Sequence, residues 1–182
     1  MSYTRTGAFS LAALSQAQST QPKATPKQTQ SAVPAAAPQI DATLAQLMRG
    51  ILYPASNIVF AAQGDNPAAF PPAKDPSAAT DLLASSYGQW QAVENSASAL
   101  VESANLLSIP GRKCSNGVAV PITNADWPKL VQGLRDAGRI AYKAAQSKNQ
   151  DKILDAADAL TTACANCHEK YREKLNLADR CK

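Results

Sequence analysis

In four stretches of the chain, apolar side chains recur every three or four residues, the spacing that lines one face of an α-helix. The first covers 41–63: Asp41 suits an N-cap, and Leu44, Leu47, Met48, Ile51, Ala55, Ile58, Val59 and Ala62 form the stripe. Prolines at 67, 71, 72 and 76 then deny a regular element to 64–76, which reads as a long loop. Ser86 with Gln89 has the form of a capping box. Behind it Trp90, Val93, Ala97, Leu100, Val101, Ala104 and Leu107 make the second stripe, which stops before Pro110-Gly111. Thr123 with Asp126 is a weaker cap for the third, whose inward face is Trp127, Leu130, Val131, Leu134, Ala141 and Ala145. After the short connection Ser147-Lys148-Asn149, the fourth comprises Ile153, Ala157, Leu160, Cys164, Cys167, Tyr171 and Leu175.

Amphipathic helices of this kind bury their stripes against one another. The expected fold is all-α, an antiparallel up-down-up-down four-helix bundle over 41–182. Hydrophobic residues make up 45% of the chain but aromatics only 5%, with alanine prominent, which suits closely packed helices. The up-down order gathers the start of the first helix, the end of the second, the start of the third and the end of the fourth at one end of the molecule. Trp90 belongs at the other end, as core.

The N-terminal region differs in composition. Arg5, a short apolar run over 8–14 and small residues around Ala17 follow the order of a secretory signal over 1–17, with a plain tail as the alternative. Residues 18–40, rich in Gln, Pro, Ala, Ser and Thr, read as a linker that cannot bury a core. The net charge of +4 originates largely here, because Arg5, Lys23 and Lys27 face no acid before residue 41. Taking those three from the 18 basic residues leaves 15 against 14 acidic. So balanced a body offers no reason to propose nucleic acid as a partner. No apolar run approaches the roughly 18 residues of a membrane span.

Chemistry concentrates at the end of the fourth helix, in Cys164-Ala165-Asn166-Cys167-His168. Cysteines three apart share a helical face, and His168, four after Cys164, joins them. One surface can then hold two thioethers to the vinyl groups of a haem and an axial imidazole to its iron, the C-x-x-C-H attachment pattern. The alternatives are a structural zinc site that also uses Cys114 and Cys181, a redox dithiol, and a chance match. The dithiol reading lacks a βαβ context, and zinc needs two ligands from distant loops.

With Glu169-Lys170-Tyr171-Arg172 after the motif and Leu47-Met48-Arg49 on the first helix, the chain resembles the class II cytochromes c, the group that includes cytochrome c′. The resemblance covers 41–177. It implies a four-helix bundle with one covalent haem c and, as bundles of this family frequently dimerise through their first two helices, a possible homodimer; the signal-like segment points to a periplasmic or otherwise exported protein. Pro54, the proline-rich loop and the additional cysteines depart from the family pattern.

The sixth iron position separates the functions. His168 is the only histidine, so two imidazole ligands from one chain are excluded, and Met1 and Met48 are the only thioethers. Met48 lies at a depth from the shared end similar to that of His168, at about 1.5 Å per residue. It is a candidate sixth ligand, or else a core methionine. A ligated Met48 implies a carrier of single electrons between redox partners. A free one implies a five-coordinate site that binds nitric oxide or carbon monoxide. Enzymatic catalysis finds no support, since no second histidine exists to act as acid or base.

Around the haem, Arg49 and Arg172 are candidates for its propionates, with ordinary solvent exposure as the alternative, while Tyr171 and Trp127 are expected to pack at its end. Arg49, Arg112, Lys113, Lys170, Arg172, Lys174, Arg180 and Lys182 map to the same end and would form a basic rim for an acidic redox partner, with a solvated surface of mixed charge as the alternative. Cys114 follows the second helix and Cys181 the fourth, so the up-down order brings them to one end, where a disulfide across 67 positions is expected, with two free thiols or an intermolecular bridge as the alternatives.

Overall fold

The computed structural model describes residues 37–174 together with Asn176, Ala178, Arg180 and Cys181. The expected signal segment, most of the linker, and Leu175 and Lys182 lie outside the described residues. Those described are mostly helical, with one isolated antiparallel bridge, Lys113 to Ala119.

The first helix is built in three parts. α1 (Leu44–Leu47) starts at a capping box, in which Thr43 accepts from the Gln46 amide and the Gln46 side chain accepts from the Thr43 amide. The cap is therefore Thr43, not Asp41. A π-helical turn follows over Met48–Leu52, and α2 (Tyr53–Gly64) continues from it. Pro54 accounts for the turn: it has no N–H to give the Gly50 carbonyl, and its ring conflicts with that carbonyl in an α-helix. The Tyr53 amide reaches back to the Met48 carbonyl instead, five residues away. The widened turn adds a residue to the stripe. Leu52 is buried, whereas Ile51, expected inside, is 36% exposed.

Residues 65–88 form the loop, which is longer than expected and carries three 3₁₀ turns begun by Asn66, Asp75 and Asp81, each accepting an amide two residues on. The expected Ser86 capping box does not form. α3 (Gln89–Leu106) begins at Gly88 without a side-chain cap, and the Gln89 side chain donates to the Ala68 and Phe70 carbonyls. A Cβ on Gly88 would lie 2.3 Å from the Leu83 carbonyl oxygen, so only glycine admits this approach. α4 (Trp127–Ser147) ends at a left-handed Lys148, and α5 (Gln150–Tyr171) starts at Asn149, which accepts from the Lys152 amide.

The helices form a ring of neighbours: α2 packs on α3, α3 on α4, α4 on α5, and α5 on α2. Val59, Val93, Leu100, Ile153 and Leu160 sit at the centre, fully buried. Burial of each such side chain stabilises the fold by about 1.5–3 kcal/mol. At one end, Leu44 donates to Lys113, Trp127 Nε1 donates to the Leu107 carbonyl at 3.2 Å, and Tyr171 meets Asp126. At the other, the Gln150 side chain donates to the carbonyls of Ala62 and Gln63, joining the end of α2 to the start of α5. No helix among the described residues is long and apolar enough to cross a membrane.

Candidate functional site

Between the first helix and α5 lies a cavity of about 740 Å³. From α5 it is lined by Cys164, Cys167, His168, Tyr171 and Arg172, and from the first helix by Leu44, Met48, Arg49 and Leu52. Leu100 and Leu107 of the α3 side and Trp127, Leu130, Val131 and Leu134 of α4 close its depth. The volume falls in the range of about 300–1,000 Å³ usual for cofactor sites. Every residue expected at the haem lines this one cavity. Cys181 lines it as well, which periodicity could not indicate, because Cys181 lies beyond the helix.

The π turn begins at Met48, so the candidate sixth ligand sits where the first helix leaves α geometry. The apolar stripe alone gives no sign of this, although Pro54 within a helical stripe is the signal that predicts such a turn.

Both thiols of the motif are free and half-buried. Desolvation pushes the Cys164 thiol up. The Cys167 thiol is pushed up to about 11, first by desolvation and then by the charges of Cys164 and Asp126. At pH 7 such a thiol is thiolate in about one molecule in ten thousand, the opposite of the acidic cysteine that drives disulfide exchange. This argues against the redox dithiol. Desolvation, reinforced by Arg172, holds His168 below its usual value, with Glu173 opposing, so its imidazole is neutral and keeps a lone pair for a metal.

Cys114 and Cys181 are joined as a disulfide, their Cα atoms 5.0 Å apart. The zinc alternative needed both as thiolates, and the described residues contain no cluster of three His, Cys, Asp or Glu fit to hold a metal. The tail around Cys181 is fastened further: its amide donates to the Tyr171 carbonyl, and Asn116 donates to the carbonyls of Ala178 and Arg180.

The surrounding charges differ in part from expectation. Arg112 is not on a basic rim. It is 6% exposed and donates to the Ala42 carbonyl at 2.6 Å and the Leu106 carbonyl at 3.3 Å, tying the start of the first helix to the end of α3. Arg172 lines the cavity but pairs with Glu173 at 2.5 Å. Arg49 is exposed at the wall and makes no ion pair among the described residues.

Thr123 with Asp126 was expected to cap α4, but Asp126 itself stands at the N-cap position, and its side chain bonds none of that helix's amides. Its Oδ1 accepts from the Tyr171 hydroxyl at 2.6 Å and its Oδ2 pairs with Lys170 at 3.4 Å, while Asn124 donates to the same hydroxyl. The Tyr171 hydroxyl, ahead of other causes, holds the Asp126 carboxyl below its usual value. Tyr171 is buried and meets Trp127 edge to face at 5.0 Å between ring centres. No protein-family model, curated protein or solved structure matches the chain.

Proposed function

We propose that this protein is a class II cytochrome c-like electron carrier: an antiparallel up-down-up-down four-helix bundle, exported from the cytoplasm, with one covalent haem in the cavity between its first and last helices. The observation that carries the reading is the convergence of Cys164, Cys167, His168 and Met48 on one apolar cavity of suitable size. Cys164 and Cys167 would hold the group by addition of each S–H across one vinyl group, sulfur to one carbon and hydrogen to the other, which would need no oxidant. His168 would hold the iron through its imidazole lone pair, and Met48 would offer a thioether from the facing helix. Bound there, haem supplies one-electron Fe(III)/Fe(II) chemistry, and a thioether ligand favours the ferrous form.

The chain's other residues shape that chemistry. Leu52, Leu100, Leu107 and Leu130 exclude water from the depth of the cavity, while Arg49 is available to a propionate at its mouth. Exposed Arg49 and Lys113 and half-buried Arg180 offer positive charge to an acidic redox partner, whereas Lys170 and Arg172 are partly neutralised by Asp126 and Glu173. Export is supported by the Cys114–Cys181 pair, which persists in an oxidising compartment. A five-coordinate site for nitric oxide or carbon monoxide is the second reading. It is favoured by the irregular turn beginning at Met48, a segment less regular than the helix beyond it.

Acidified acetone should leave the pigment with the protein, and reduced and oxidised visible spectra should be low-spin. Met48→Ala should turn them high-spin. Pigment extracted into acetone overturns the attachment. Wild type already high-spin and readily binding carbon monoxide replaces the electron carrier with the gas-binding protein.

A further inference from the structure

An aspartate at the N-cap of a helix ordinarily turns its carboxylate onto the amides of its own first turn. Asp126 does not, even though α4 starts directly after it. Pro128 in that turn has no amide to offer. Both carboxylate oxygens go instead to the last turn of α5, Oδ1 to the Tyr171 hydroxyl at 2.6 Å and Oδ2 to Lys170 at 3.4 Å. Tyr171 lies three residues after His168 and four after Cys167, on the same helical face. Its ring lines the cavity and is held by Trp127. The carboxylate therefore stands one hydroxyl behind the wall that bears the attachment motif.

From this geometry we infer that Asp126 and Tyr171 form a positioning pair that orients the attachment turn of α5 and sets the oxidation–reduction balance of the site. The inference rests on the haem reading above. A negative charge behind the wall favours the oxidised, more positive form of a redox centre. The Tyr171 O–H, with its hydrogen on the carboxylate, moderates that charge on the cavity side. Lys170 moderates it from solvent, where the Asp126 side chain is 37% exposed. The two members thus act in opposite directions, a signature that a purely mechanical clamp does not share.

The test is a spectroscopic redox titration of the full-length holoprotein in four forms: wild type, Asp126→Asn, Asp126→Glu and Tyr171→Phe. Asp126→Asn should raise the midpoint potential by removing the charge. Tyr171→Phe should lower it by unmasking the charge, and Asp126→Glu should stay near wild type. Covalent attachment should be unchanged in all. Midpoints that do not move while thermal stability falls, or that move in the same direction in Asp126→Asn and Tyr171→Phe, overturn the inference and leave the haem reading intact. Should one of those variants fail to fold, the sign of the other's shift against wild type decides. Wild type without covalent pigment overturns both.

Discussion

Replacing Cys114 and Cys181 together with alanine removes a bridge whose contribution can be worked from the fold. The pair closes a loop of 67 positions with Cα atoms 5.0 Å apart, inside the usual range for disulfides. Loop entropy then gives an upper figure of about 4 kcal/mol. Part of the constraint survives without the bridge, because the Cys181 amide still reaches Tyr171, and Asn116 still holds the Ala178 and Arg180 carbonyls. Each such bond contributes about 0.5–1.5 kcal/mol while the tail remains docked. The expected loss is thus about 2–4 kcal/mol, or about 1–2 M in the urea midpoint at a slope of about 2 kcal/mol per molar. Urea unfolding of the double variant beside wild type measures this. Thiol counting on unfolded, unreduced protein supplies a separate check, with none reactive when haem occupies Cys164 and Cys167, and two when it is absent. Two thiols in pigmented protein, four in unpigmented protein, or an unchanged midpoint would refute the bridge and the tail docking derived from it.

Three further expectations follow from packing and charge. Gly138→Ala gains about 1 kcal/mol of helix propensity, but its Cβ would lie 2.9 Å from Val101 Cγ2 and 3.3 Å from the Val101 amide nitrogen. Overpacking of about 1–3 kcal/mol should win. Combining it with Val101→Ala should recover part of the loss, and a stabilised single variant in denaturant would show that α3 and α4 have room to part. Arg112→Met should destabilise by about 1–3 kcal/mol through the carbonyls it abandons and speed hydrogen exchange at the Leu44 amide, which bonds to neighbouring Lys113; exchange at the wild-type rate would contradict its role as a clamp. Asp126 is held below its usual 3.8 chiefly by Tyr171, and Glu173 below 4.5 chiefly by Arg172. Both stabilise the fold above those values, and the contribution is lost as pH falls through the lowered ones. The wild-type thermal midpoint should therefore drop more steeply below about pH 4 than that of Asp126→Asn, and equal slopes would dissociate Asp126 from acid unfolding.

What could be read from the chain was whatever depended on periodicity and on short motifs. Trp90, Val93, Ala97, Leu100 and Ala104 are all buried as their spacing required, and Asn149 caps α5 where the polar connection ended. The attachment motif and Met48 reach the same cavity because depth along a helix follows from simple counting. Failures arose where a local rule met competition. Thr43 and Asp41 are both acceptable caps, and the choice depended on Gln46 closing the box. Ser86 lost its helix because the loop before it folded onto Gly88 through Leu83, a contact that no local pattern encodes. Ile51 turned outward because Pro54 changed the phase of the stripe from α to π. Arg112 looked like a surface cation, and only the fold presents it with two carbonyls, one of them 70 positions away.

The cavity itself follows from how side-chain size is distributed among the seams. Where α3 meets α4, Ala97 and Gly138 let the backbones approach until a single added methyl would collide with Val101. Ala104 of α3 and Ala137 and Ala141 of α4 are also buried. The opposite seam, between the first helix and α5, carries Leu44, Met48 and Leu52 against Cys164, Cys167 and His168, and there the helices stand apart around open space. Large residues facing polarizable and ligating ones cannot close as alanines do, so the chain contracts on one side and leaves room on the other. At the same end, the buried guanidinium of Arg112 joins the start of the first helix to the end of α3, the Cys114–Cys181 bridge joins the loop after α3 to the tail beyond α5, and the Asp126–Tyr171 pair joins the start of α4 to the end of α5. Thiols, an imidazole and a thioether share the walls of that space, and the proposed haem site rests on this arrangement.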